Sequence, residues 1–212
     1  MVAELIQFIS TFIGVFVIVD PFAMVPLYLT LTERLSEQAV IRTRRKATLV
    51  AMGILLVFAL TGLSIFNLFG ITMPAFQIAG GILLLLLGIS QLNAQRSRVQ
   101  PEERNESMER EDISVFPLGT PLLAGPGAIS TVVLYATQAG NWLSRVGLVL
   151  AIIGAMAASY AVLKGAHYLF HILGRTGLNI LTRIMGLILT AIAVQFVLNG
   201  VTGALRAMGV LQ

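Results

Sequence analysis

Cysteine and charge are the two features that this sequence lacks or has little of. The chain of 212 residues contains no cysteine, which excludes disulfide bonds, thiolate metal sites and cysteine nucleophiles. Only 11% of its residues are charged, whereas a typical soluble domain carries about 25%. Because so few charges cannot cover a water-exposed surface around a core of this size, a soluble globular domain is excluded.

Apolar residues take the place of charge. They make up 57% of the chain and are gathered in long runs. A run of about 20 apolar residues is long enough to cross the hydrocarbon core of a bilayer. Six runs meet this length, at roughly 5–31, 47–69, 75–93, 115–137, 144–171 and 184–205. We therefore expect an all-α polytopic membrane protein with six transmembrane helices, which needs no cofactor.

Polar and turn-forming segments separate the six runs. The first is the charged segment 32–46, and the second is the short uncharged turn 69–74. The third, at 93–112, holds 10 of the 24 charged residues and is expected to be a solvated linker. Segments 138–144 and 174–182 are expected to form the last two turns.

The basic residues predict an orientation in the membrane. Twelve of the 14 fall on one side of the predicted topology and two on the other, which is a strong positive-inside signal. The twelve are Arg34, Arg42, Arg44, Arg45, Lys46, Arg96, Arg98, Arg104, Arg110, Lys164, Arg175 and Arg183. Loops one, three and five are therefore expected to face the cytoplasm, and both termini to lie outside.

Two internal matches suggest that the chain is a tandem repeat. "QIAGGIL" at 77–83 resembles "RIMGLIL" at 183–189 at an offset of 106 residues, and "DPFA" at 20–23 aligns with "GPGA" at 125–128 at an offset of 105. Because each half would have three spans, the second half must insert upside down, as in many secondary transporters. We expect a 3+3 inverted repeat with a first half at 1–92, a charged cytoplasmic linker at 93–113 and a second half at 114–212.

Both aligned motifs place a helix breaker near the middle of a span, in helices 1 and 4. Pro21 and Pro126 suit the first position of a helix, so each is expected to start a second half-helix, with Asp20 and Gly125 as the caps. The alternative is that the two prolines only kink continuous helices. Asp20 is the one acid inside a predicted span, where charge is costly. It is our candidate for ion or proton coupling, with a purely capping role left open.

The second breaker predicts a site for an anion. Gly125 and Gly127 leave the backbone open, and the N–H groups of Ala128, Ile129 and Ser130 are expected to be unpaired at a helix N-terminus. Such a site suits a carboxylate. The candidate substrate-binding residues are Pro21, Gln77, Gly125, Pro126, Gly127, Ala128, Ile129, Ser130 and Thr131.

Two further patterns have structural interpretations. Gly147, Ala151, Ala155 and Ser159 form a ladder of small residues four apart, which predicts a helix-packing face. His167 and His171 are also four apart, but the sequence offers no third ligand, so no metal site is predicted.

With these residues in view, the chain resembles the MarC family of bacterial and archaeal inner-membrane proteins. The specific blocks are "DPFAMVPLYLTLT" at 20–32 and "FPLGTPLLAGPGAIST" at 116–131. Two weaker blocks are "FQIAGGILLLLLGI" at 76–89 and "RIMGLILTAIAVQF" at 183–196. The resemblance implies a multi-pass inner-membrane protein with six spans. For some members it also implies proton- or cation-coupled movement of glycine, alanine and similar amino acids.

The sequence therefore favours a secondary transporter of small neutral amino acids, whose partners are the substrate, a coupling proton or cation, and the bilayer. The alternative is a channel or a non-transporting membrane assembly or stress factor. An aspartyl intramembrane enzyme is not favoured, because it would need a second carboxylate beside Asp20. Nucleic-acid binding is not favoured either, because the net charge of +4 is small and indicates membrane orientation. Whether the chain forms a homo-oligomer is left open.

Overall fold

The computed structural model describes residues 2–93 and 114–210, and every regular element within these ranges is a helix. We label the helices in chain order. They are α1 (Val2–Val19), α2 (Pro21–Thr32), α3 (Glu37–Phe69), α4 (Met73–Leu92), α5 (Ser114–Leu123, wound as a π-helix), α6 (Pro126–Gln138), α7 (Trp142–Lys164) and α8 (Ala166–Ala207). The expected all-α class is confirmed. Nearly all of the charged linker lies outside the described residues.

Five segments of the described chain are long and apolar enough to cross a membrane. They are Ile6–Thr32, Glu37–Gly62, Met73–Leu92, Trp142–Lys164 and Ala166–Ala207. Large apolar side chains also cover their outer surface, as at Leu60, which is 74% exposed, because hydrocarbon and not water is the solvent there. The chain is therefore a multi-pass membrane protein. The predicted span 115–137 consists of two short helices, α5 and α6, so the count of six spans stays a prediction.

The start of the second span differs from its prediction. α3 begins at Glu37, although the apolar run begins only at residue 47. Ser36 caps the helix, because its hydroxyl accepts from the Ala39 N–H at 3.4 Å and its carbonyl from the Val40 N–H at 2.9 Å. The next ten positions are rich in Glu, Gln, Ala and Arg, which favour helix whatever their polarity. The predicted charged loop at 32–46 is thus wrong for 37–46, whose charges lie on a helix end.

The boundary between the last two spans is also displaced. α7 ends at Lys164, seven residues before the predicted end at 171, and the Gly165 N–H closes it on the Ala161 carbonyl at 3.0 Å. α8 then runs through 174–182, where a turn was predicted, and it is interrupted only at Gly174. Gly174 has φ 61°, a value that glycine adopts without steric cost. The chain therefore turns at Gly174, where two helices meet, so the turn predicted at 174–182 is confirmed at its first residue, whereas 175–182 are helical.

Small residues bring α4 and α8 into backbone contact. Three carbonyl oxygens face glycine Cα atoms at intervals of seven residues, and a Cβ added at each glycine would lie 2.8–2.9 Å from the oxygen. The pairs are Gly81 with Ala193, Gly88 with Gly186, and Gly200 with Pro74. Because the numbers rise along α4 as they fall along α8, the two helices are antiparallel. Such close approach lets dispersion forces associate helices where no hydrophobic effect operates.

The small-residue ladder on α7 packs as predicted. Ala151, Ala155 and Ser159 are fully buried, at 0% exposure each. On the same helix, a Cβ added at Gly154 would lie 3.3 Å from the ring of Phe12 on α1. The interpretation of this stripe as a packing face is therefore confirmed for Ala151, Ala155 and Ser159, whereas Gly147 is partly exposed and has no neighbour within 4 Å of an added Cβ.

We expect Gly88→Ala to destabilise the protein by about 1–3 kcal/mol, because the new methyl meets backbone atoms of α8 that cannot rotate away. Gly53→Ala is the matched control, since a Cβ there has no neighbour within 4 Å and alanine favours helix. Thermal unfolding of both variants in detergent checks this. Equal midpoints for the two variants would contradict the tight α4–α8 contact.

Candidate functional site

The first break lies between α1 and α2, at Asp20. α1 ends at Val19, α2 begins at Pro21, and Asp20 between them has φ 47° and ψ 61°. Within the described ranges, Asp20 is the only residue other than glycine with a positive φ. Aspartate tolerates this left-handed conformation better than most residues. Its Oδ1 accepts from the Ala23 N–H at 3.4 Å, so Asp20 is the N-cap of α2.

The Asp20 carboxylate is also bound by a second helix. Asp20 is 2% exposed, and its Oδ2 accepts a hydrogen bond from Gln91 Nε2 at 2.7 Å. Gln91 lies near the end of α4 and is itself buried, and its Oε1 has no hydrogen-bond partner. A buried acceptor without a partner costs free energy unless a donor or cation meets it. The pair therefore presents a carboxylate and a free amide oxygen, a combination that attracts a proton, a metal cation or an ammonium group.

The second break lies between α5 and α6. α6 begins at Pro126, and its N-cap Gly125 has no side chain with which to cap it. The Ile129 N–H bonds to the Gly125 carbonyl at 3.0 Å, and the Ser130 N–H lies one helical turn after the Pro126 carbonyl. The expectation that the N–H groups of 128–130 are unpaired is therefore wrong for Ile129 and Ser130. The helix starts early enough for Ile129 to complete its first turn. The N–H groups that have no carbonyl one turn earlier are those of Gly127 and Ala128.

The two hydroxyls beyond this break donate within their own helix. Ser130 Oγ donates to the Pro126 carbonyl at 2.7 Å, and Thr131 Oγ1 donates to the Gly127 carbonyl at 2.9 Å. Both side chains are buried, at 4% and 1% exposure. With their protons used in this way, the hydroxyls can only accept from a ligand.

α4 brings the two breaks together. Gln91 binds Asp20, and seven residues earlier the Leu84 side chain packs against the Cα of Gly127. At 1.5 Å per residue, the breaks are about 10 Å apart along the α4 axis. A Cβ at Gly127 would also lie 3.5 Å from Ile18, two residues before Asp20. Pro21 and residues 125–131 therefore lie around one stretch of α4.

Gln77 lies farther away than the other predicted residues. It is on α4 but 14 residues before Gln91, which is about 20 Å along the helix. One turn beyond it, Gly80 packs against Ser130, whose Oγ would lie 2.7 Å from a Cβ on that glycine. The structure thus places Gln77 beside the far side of the second break and not near Asp20.

Gln91 is the residue that the sequence interpretation missed. It stands two residues before the charged linker, where polar side chains usually mark the membrane interface. Its spacing from Gly88 and Leu84 was the available signal. Gln91, Gly88 and Leu84 are three and seven residues apart and lie on one face of a helix.

Comparison with known proteins places the chain in a family. Residues 5–205 match the MarC family integral membrane proteins. The chain belongs to the MarC family. A UPF0056 membrane protein of the archaeon Methanocaldococcus jannaschii is 41% identical over 95% of this chain and 99% of its own length.

Other MarC relatives come from distant organisms. A UPF0056 membrane protein of Pyrococcus horikoshii is 36% identical over 96% of this chain and 98% of its own length. The UPF0056 membrane protein YhcE of Escherichia coli is 34% identical over 91% of this chain and 90% of its own length. No solved structure matches the chain.

We expect Gln91→Leu to lower the free energy of unfolding by about 1.5–3 kcal/mol, because the buried Asp20 carboxylate loses its charge-assisted hydrogen bond. Gln195→Leu is the matched control, since Gln195 is exposed and bonds only to Asn199 on its own helix. Unfolding in detergent measures both variants. In an Asp20→Asn background the loss is expected to shrink, and an unchanged loss would contradict a direct interaction.

Proposed function

We propose that this MarC protein is a secondary transporter of small neutral amino acids such as glycine and alanine, coupled to a proton or a cation. The observation that carries the proposal is that two complementary groups contact the same helix, α4, through Gln91 and Leu84. The Asp20–Gln91 pair attracts positive charge, and the N-terminus of α6, which has no side-chain cap, attracts negative charge. The two lie about 10 Å apart along the helix.

A zwitterionic amino acid complements both groups. Its carboxylate would meet the N–H groups of Gly127 and Ala128 at the positive end of the α6 dipole. Its ammonium group would meet Asp20 and the free Oε1 of Gln91. Leu84 and Ile18 already pack against the Cα of Gly127, so a substrate held there can carry only a small side chain. This favours glycine and alanine over larger substrates.

Asp20 is also the proposed coupling residue. Its carboxylate is bound by one neutral amide and one backbone N–H, with no basic side chain hydrogen-bonded to it in the described ranges. A buried carboxylate without a fixed counter-charge gains most from a proton or a cation. Binding of substrate and coupling ion at the same carboxylate would make one depend on the other.

The packing of α4 on α8 supports a 3+3 inverted repeat. The two helices are antiparallel and present small residues to each other at the same spacing of seven residues. The two breaks are 105 residues apart in the chain, and the matching segments of α4 and α8, at 77–83 and 183–189, are 106 residues apart, so both pairs have nearly the same offset. Alternating access would then arise from rocking of one three-helix half against the other.

The proposed orientation follows from charge. The basic end of α3 and the C-terminal Lys164 of α7 would lie on the cytoplasmic side with the linker, and both termini outside. We further propose that the chain is not an enzyme. Asp20 is the one carboxylate away from the span ends in the described ranges, and these ranges offer no second carboxylate that could form a dyad with it.

We expect purified protein in proteoliposomes to show saturable uptake of labelled glycine or alanine. Asp20→Asn should lower the rate about tenfold or more, because replacing a charge-assisted contact to the ammonium group by a neutral one costs about 1.5–3 kcal/mol. Glu33→Gln is the matched control, since Glu33 is an exposed acid at the end of α2. It should transport at the wild-type rate.

Three outcomes would contradict the proposal. Uptake no greater than in empty liposomes, across neutral amino acids and pH or sodium gradients, would exclude amino-acid transport. Uptake that never saturates would indicate a channel. Normal transport by Asp20→Asn would reduce Asp20 to a helix cap.

A further inference from the structure

A buried arginine lies where α2, α3 and α7 converge, away from the two breaks. Arg44 on α3 is 8% exposed, although its side chain carries a permanent positive charge. Its Nη2 donates a hydrogen bond to the Tyr160 hydroxyl on α7 at 3.4 Å, and its Cζ lies over the same ring, 4.9 Å from the ring centroid. Its Nε is buried and has no partner.

The partners of Arg44 do not neutralise it. In residues 2–93 and 114–210, no carboxylate forms an ion pair with its guanidinium group. Tyr160 contributes a neutral hydroxyl and a cation–π contact, which compensate only part of the lost hydration. Buried charges are otherwise paired with an opposite charge, because an isolated one is strongly disfavoured. An anion would therefore complete the cluster that the described residues form.

A second buried polar group points the same way. Tyr28 on α2 is 1% exposed, and its hydroxyl oxygen lies beside the Arg44 guanidinium group, with which it interacts. The proton of this hydroxyl has no acceptor among the described residues. An oxyanion between them would accept from the Arg44 Nε–H and from the Tyr28 O–H, and would satisfy both groups at once.

The cluster lies at the edge of the membrane-spanning region. Tyr160 is one turn before Lys164, the last residue of α7, and it is partly exposed. The charges of Lys164 and Arg45 also act on the Tyr160 hydroxyl. Basic pockets between transmembrane helices at this depth suit the phosphate of an anionic lipid, whose acyl chains can remain in the bilayer.

We propose that Arg44, Tyr28 and Tyr160 form a binding site for a phosphate group, supplied by the headgroup of an anionic phospholipid. Arg44 provides the planar fork that pairs with phosphate oxygens, Tyr28 provides a hydroxyl donor, and the exposed edge of Tyr160 marks the entrance. The site is independent of the transport proposal, because none of its residues lies at the helix breaks.

Thermal unfolding of the purified full-length chain tests the site with three probes. These are micelles with phosphatidylglycerol, micelles with phosphatidylcholine at the same mole fraction, and inorganic phosphate. We expect phosphatidylglycerol to raise the unfolding midpoint by about 5 °C more than phosphatidylcholine. Arg44→Gln should abolish this difference and Tyr28→Phe should reduce it. Arg42→Gln and Tyr168→Phe, which alter exposed residues, are the matched controls and should retain it.

Arg44→Lys guards against a variant that does not fold. It keeps the charge but loses the planar fork, and we expect it to halve the difference between the two lipids. A shift with inorganic phosphate that Arg44→Gln abolishes would identify free phosphate as the ligand of the same site. If neither phosphatidylglycerol nor inorganic phosphate raises the unfolding midpoint of the wild type above its value with phosphatidylcholine, the proposal is wrong. It is also wrong if Arg44→Gln responds as the wild type does.

Discussion

The hydrogen bond between Gln91 Nε2 and Asp20 Oδ2, at 2.7 Å, is the interaction on which the rest of the site depends. A carboxylate in the middle of a membrane-spanning segment has no water to solvate it, so the protein must supply donors. Asp20 obtains one from the start of its own helix and one from α4. The bond thereby joins the broken first span to α4, which in turn packs along its length on α8. Breaking it would leave the charge poorly compensated and the break without lateral support.

The constraint at the second break is different, because glycine replaces the charged cap. Gly125 leaves α6 without a side-chain cap, and Pro126 cannot donate, so the N–H groups of Gly127 and Ala128 have no carbonyl partner within the helix. One break therefore has an excess of acceptors and the other an excess of donors. The two breaks contact α4 about 10 Å apart along its axis, and together they form a dipolar site that contains no pair of oppositely charged side chains. This asymmetry suits a ligand that carries both charges itself.

Local chemistry explains which features the sequence predicts well. Asp-Pro and Gly-Pro interrupt helices through their own backbone geometry, and the structure has breaks at Asp20 and Gly125, where they are predicted. The start of α3 was missed because an apolar count does not register the helix propensity of residues 37–46. Gly174 is visible in the sequence, but not the direction in which it turns the chain. Gln91 could not be paired with Asp20, since 71 residues separate them and only tertiary packing brings them into contact.

The central claim is that a small amino acid binds between the two breaks, and the absence of native cysteine allows a direct measurement. A cysteine introduced as Gly125→Cys lies at the N-cap of α6, which is partly exposed, and its reaction with a maleimide reports access to the site. Gly140→Cys, at an exposed position in the loop before α7, is the control. We predict that saturating glycine or alanine slows labelling at position 125 about tenfold or more and leaves position 140 unchanged. Identical labelling rates with and without amino acid at position 125 would contradict the claim.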